Sequence, residues 1–248
     1  MDFDFEKMTN EEIMDFLRGI GNEEGAFADD PAAAANAALE AARTAADRGN
    51  AEAQFLYAGM LLRMPGVERD EKTAGQYMAR AAEQGYPPAL CHMGIFAQTG
   101  TCGFETDLAK AVDFFMLAAQ MGNPDAMVHL YGTYSAGMGV ARDKAKALAY
   151  LQSAVDAEYP PALLVMGAEF MSDPDGSPDK KRQGAALFLK AAEKGDPMAQ
   201  LMYGTCCEQG IGAEKNLSEA AGWYRRAAKA GSVQANEALK KLGFPGVM

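Results

Sequence analysis

The phrase "AAEQGYPPAL", beginning at Ala81, returns in altered spelling as "AADRGNAEAQ" from Ala45, "AAQMGNPDAM" from Ala118, "AVDAEYPPAL" from Ala154, "AAEKGDPMAQ" from Ala191 and "AAKAGSVQAN" from Ala227. Successive starts lie 36, 37, 36, 37 and 36 residues apart. A fixed period of this length is the mark of stacked supersecondary units, each too small to bury its apolar face without a neighbour. No other feature of the chain restricts its fold as strongly.

The phrase has a physical meaning as a helix stop followed at once by a helix start. Gly49, Gly85, Gly122, Gly195 and Gly231 stand where a helix ends in a left-handed residue, a conformation that glycine adopts without a Cβ clash. Asn50, Asn123, Asp196 and Ser232 follow as N-cap residues, and Pro124 and Pro197 take the first helical position, where the missing amide hydrogen has no intrahelical partner to lose. Pro87 with Pro88, and Pro160 with Pro161, therefore open helices. Glu158 stands where the helix-ending glycine belongs, which predicts either a left-handed glutamate or a different turn.

A second break recurs inside each unit, clearest in "GMGVARDKAKA" (137–147) and "GIGAEKNLSEA" (210–220). Asp70, Asp107, Asp143 and Asn216 close these loops as caps of a following helix rich in alanine and aromatics. Each unit is then helix A, a loop, helix B and a tight turn. Helix B carries Tyr77, Phe114 and Phe115, Tyr150, Phe188, or Trp223 and Tyr224 near its middle. Straight-chain Leu, Met and Ala dominate the apolar residues and β-branched ones are sparse, which favours an all-helical chain.

The pattern of Ala, four residues, Gly, an aromatic, Gly-x-Gly, Asp, Ala-Ala and Gly resembles the Sel-one-like repeat family, a relative of the tetratricopeptide repeats. Ala126–Glu158 and Ala199–Gly231 carry it most fully. The resemblance implies an all-α, right-handed solenoid of antiparallel helix pairs. It places a divergent acidic helical cap at 1–49, repeats at about 50–85, 86–122, 123–158, 159–195 and 196–232, and a capping helix with its tail at 233–248. The loop "GTCGFETD" in the second unit and "SDPDGSPDKK" in the fourth depart from the family pattern.

Residues 1–50 hold 12 acids against 4 bases within a total charge of −11. That balance argues against a nucleic-acid partner, whose phosphates need a basic face. The acidic start and the lack of a 20-residue apolar run point to a cytoplasmic chain without a membrane partner. Glu23, Glu24, Asp29 and Asp30 read as solvated surface or cap residues. The four cysteines, Cys91, Cys102, Cys206 and Cys207, show no regular framework and read as reduced thiols, with Cys206 and Cys207 filling core positions.

The resemblance implies a non-enzymatic scaffold or adaptor, with no cofactor, that binds a protein or peptide along a concave face lined by A helices. Two columns would line it, namely Phe55, Cys91, Val128, Leu164 and Leu201, then Gly59, Ile95, Gly132, Ala168 and Thr205. His92 and His129 occupy a neighbouring column with Leu56, Val165 and Met202. The same columns read equally as interhelical core. An acidic protein that neutralises a partner, such as a toxin immunity protein or a regulatory inhibitor, is an alternative. From another class comes a metal-binding or hydrolytic protein built on His92, His129 and Cys91, although few further groups converge there. No nucleophile elbow, phosphate loop or Cys-x-x-Cys pair occurs.

Overall fold

The computed structural model describes residues 4–19, 31–173 and 176–247. Glu23, Glu24, Asp29 and Asp30 lie outside the described residues. Among those described the chain is all-α, an array of antiparallel helix pairs: α1 (Asn10–Gly19), α2 (Pro31–Asp47), α3 (Ala51–Arg63), α4 (Glu71–Glu83), α5 (Pro87–Thr99), α6 (Leu108–Gln120), α7 (Pro124–Ala136), α8 (Lys144–Asp156), α9 (Pro160–Met171), α10 (Pro178–Glu193), α11 (Pro197–Gln209), α12 (Leu217–Lys229) and α13 (Val233–Lys241). Helices α3, α5, α7, α9 and α11 are the A helices, and α4, α6, α8, α10 and α12 are the B helices. Two compact units result, Met1–Ala126 with Ala136–Arg142, and Met127–Ser135 with Asp143–Met248.

The helix boundaries follow from side chains that satisfy amides with no intrahelical partner. Asn50, Asp196 and Ser232 accept from the amides of Ala53, Ala199 and Ala235, and Asn123 accepts from Ala126. Asp70, Asp107, Asp143 and Asn216 cap the B helices in the same way. Tyr86 and Tyr159 precede α5 and α9 without a side-chain cap, and the paired prolines supply the preset backbone there. The irregular fourth repeat caps α10 with Ser177, starts it at Pro178 and extends it to 16 residues. Glu158 does take the left-handed conformation, with φ 53°. Lys190 and Lys194 reach its carboxylate at 2.7 and 2.9 Å and hold its pKa down at about 2.

Reciprocal side-chain sizes set the spacing of the two helices in a pair. A Cβ on Gly94 would fall 2.5 Å from the Phe115 ring, one on Gly167 2.6 Å from Phe188, and one on Gly204 2.7 Å from Tyr224. In the first repeat the corresponding residues are Ala58 and Met78, and in the third Tyr131 and Leu151. Where the A helix carries the larger side chain, the B helix carries a smaller one. Met78, Phe115, Leu151, Phe188 and Tyr224 are all buried, and full burial of such a side chain contributes roughly 1.5–3 kcal/mol.

The first unit begins with a segment that the repeat pattern does not encode. Arg48, at the end of α2, donates to the carbonyls of Phe5, Glu6 and Met8. Phe5 is buried and packs its ring 5.1 Å from Phe16 of α1. Thr9 and Glu12 cap α1 reciprocally, each side chain accepting the other's amide.

Candidate functional site

In the first unit, the A-helix face is built by α3 and α5. The Phe55 ring lies 5.5 Å from Tyr86 and meets His92 edge-on at 5.2 Å. Phe55, His92 and Ile95 are half-buried, with Gly59 beside them. His92 Nδ1 lies 3.1 Å from the Pro88 carbonyl, which can only accept, so that nitrogen carries the hydrogen. Nε2 then accepts from Arg63 Nη2 at 3.3 Å. Burial lowers the imidazole pKa, and the Arg63 guanidinium acts in the same direction. His92 is therefore a neutral ring with both nitrogens engaged, one of them facing a cation.

Cys91 differs from its column, because it is 1% exposed. Its thiol donates to the Asp125 carboxylate at 3.8 Å, and burial, reinforced by Asp125, pushes its pKa well above the ordinary thiol value. His129 follows Asp125 by one turn of α7 and belongs to the second unit.

In the second unit, Val128 and Tyr131 pack beside the buried cluster of Leu151, Ala154, Ala162 and Met166. Leu164 packs against Leu163, Ala191, Ala192 and Ala199, and Leu201 packs against the cluster around Tyr224. Val128, His129, Leu164 and Leu201 are all half-buried. Each thus contributes one side to packing and shows the other to solvent. The sequence offered groove and core as rival readings of these columns. The side chains take an intermediate position.

The second unit also contains a cavity that no local sequence signal reports. It has a volume of about 230 Å³ and is lined by Ala168, Met171, Ser172, Phe188, Met202, Thr205, Cys206, Gln209 and Ile211. Ala168, Thr205 and Met202 come from the columns read in the sequence. Phe188 is the floor contributed by α10, Ile211 comes from the glycine loop, and Met171 lies at the end of α9. Cys206 and Cys207 are buried free thiols, and burial raises the Cys206 pKa to about 11. They are protonated apolar filling rather than reactive thiolates.

The Sel1 repeat profile matches residues 51–86, 87–123, 126–159, 160–196 and 197–232. The chain belongs to the Sel1 repeat family. Among curated relatives of this Sel1 repeat protein, DAP3-binding cell death enhancer 1 of Mus musculus is 33% identical over 175 residues, covering 70% of this chain and 34% of the enhancer. Chitin synthase regulator SKT5 of Malassezia restricta is 25% identical over 173 residues, covering 70% of this chain and 10% of SKT5. The chain thus spans about a third of the length of the first relative and about a tenth of the second. A crystal structure of a Sel1 repeat protein from Oxalobacter formigenes superposes with a TM-score of 0.75 at 30% identity, over 96% of this chain and 67% of that one. The protective antigen c5321 of uropathogenic Escherichia coli shares the fold, with a TM-score of 0.66 at 22% identity over 97% and 52% of the two chains.

Proposed function

We propose that this Sel1 repeat protein is a non-enzymatic interaction scaffold that binds a protein or peptide through the A-helix face of its units. In the first unit Phe55, His92 and Ile95 would meet the partner, with Cys91 behind them. In the second, Val128, His129, Leu164 and Leu201 would do so. The observation that carries the reading is the half-burial of these apolar side chains. A residue already ordered by its own core and still presenting apolar area loses little conformational entropy when a partner covers it. The engaged state of both His92 ring nitrogens weighs against the metal or hydrolytic alternative built on that residue. The relatives support the same direction, since one is described as binding DAP3 and another as regulating chitin synthase.

The test is capture of binding proteins from the native host by the wild-type chain and by Phe55→Ala and Leu164→Glu variants whose helical circular dichroism is unchanged. A partner bound through these faces is lost from both variants. Undiminished capture by both rejects the face.

A further inference from the structure

Charge in the second unit is divided between its two helix types. Helices α9 and α11 contain no Lys or Arg, and Glu169 and Glu208 are their sole charged residues. Helices α8, α10 and α12 carry nine Lys and Arg residues against four acids. Neither A-helix carboxylate forms an ion pair among the described residues; each is braced by a tyrosine. Tyr131 of α7 donates its hydroxyl to Glu169. Tyr224 of α12 donates to Glu208 at 2.6 Å and approaches Thr205 Oγ1 at 3.3 Å. A phenol fixes a carboxylate in place and leaves its charge uncompensated.

Each carboxylate is the chain neighbour of a residue that lines the apolar cavity. Glu169 follows Ala168, and Glu208 precedes Gln209, both of which line it. The cavity's volume of about 230 Å³ suits one bulky apolar side chain, and Met171 and Met202 give its walls an adjustable shape. A buried anchor side chain supplies most of the affinity of an interface, and charged groups around it supply selectivity.

We infer that the second unit holds a binding site for a basic peptide segment, in which one large apolar side chain enters the cavity between α9 and α11 while flanking Lys or Arg residues pair with Glu169 and Glu208. The site names the partner chemistry for the A-helix face proposed above, and rests on that reading.

The probe is an oriented peptide library with a fixed central Phe and randomised flanks, selected on the purified full chain. Wild-type protein enriches Lys and Arg in the flanks. For the enriched peptide, Ala168→Trp, which fills the cavity from its exposed rim, weakens binding at least tenfold with an unchanged melting temperature. The Glu169→Gln/Glu208→Gln pair weakens it about fivefold to tenfold and flattens its salt dependence. Enrichment of neutral or acidic flanks overturns the inference, as does an absence of enriched peptides. Equal binding to Ala168→Trp overturns it too. In each of these cases, loss of the native partner from the Phe55 and Leu164 variants leaves the scaffold reading standing.

Discussion

Gln54 and Gln200 occupy the same place in the first and fifth repeats, and both are buried polar side chains on α3 and α11, 4% and 7% exposed. Each donates its amide to the carbonyl of a preceding B-type helix, Ala46 for Gln54 and Ala192 for Gln200. Their carbonyl oxygens fare differently. Gln54 Oε1 accepts from Gln84 Nε2 at 2.8 Å, whereas Gln200 Oε1 meets no donor among the described residues. The residue matching Gln84 is Ala230, and their backbones nearly coincide, with φ and ψ of −81° and 1° against −82° and 9°. Ala230→Gln should therefore supply the missing donor and stabilise the protein by about 1 kcal/mol, the net value of a hydrogen bond that satisfies a buried acceptor. Urea unfolding checks this, and the gain should vanish when Gln200→Leu is introduced first. A gain that persists in the Gln200→Leu background would belong to helix propensity instead.

At the scale of helices and loops, consecutive repeats interlock through backbone that only a missing Cβ allows. Gly212 in the loop after α11 has φ 72°, and a Cβ there would lie 2.1 Å from the Lys181 carbonyl oxygen of α10. Gly231 also has a positive φ, 94°, with nothing within 4 Å of its would-be Cβ. Gly231→Ala should therefore cost only the left-handed penalty, about 1 kcal/mol. Gly212→Ala adds overpacking against an immovable carbonyl and should cost about 2–4 kcal/mol. Equal losses in denaturant melts would show that the loop has room to withdraw. The difference between these glycines explains how far the sequence could be read. Helix ends were legible because stop residue, cap and proline are adjacent in the chain, and even Glu158 could be marked as an anomaly. The second repeat's loop could be seen to depart from the pattern, but not how it is accommodated. Cys102 stands there with φ 56°, and the compensating residue is Gly75 on the preceding B helix, whose Cβ would lie 2.3 Å from the Cys102 carbonyl oxygen. That pairing, like the cavity between α9 and α11, joins residues separated by a whole helix and loop, and no local period reports it. The acid pair follows the same rule: Glu169 and Glu208 acquire meaning only beside the tyrosines that hold them.

For the molecule as a whole, the helix pairs that make substantial contacts within each unit are sequence neighbours, from α1 with α2 to α5 with α6, and from α8 with α9 to α12 with α13. Stability in such an array is a sum of repeat and nearest-neighbour terms, so damage at one end should spread only as far as the neighbouring interfaces carry it. Leu239 is the test position. It is fully buried in the last cluster with Cys207, Tyr224, Ala227 and Ala235, where Leu242, Phe244 and Val247 also pack. Leu239→Ala removes a core side chain and should cost about 2–5 kcal/mol locally. In native-state hydrogen exchange, the amides of α11, α12 and α13 should exchange faster by the factor that this loss dictates, while those of α3 to α6 keep their wild-type protection. Uniform acceleration across all helices would mean that the array unfolds as one cooperative block. A partner bound at the α9–α11 cavity would then draw on the stability of the entire chain, whereas graded exchange would make the end of the array a separately adjustable part of its binding surface.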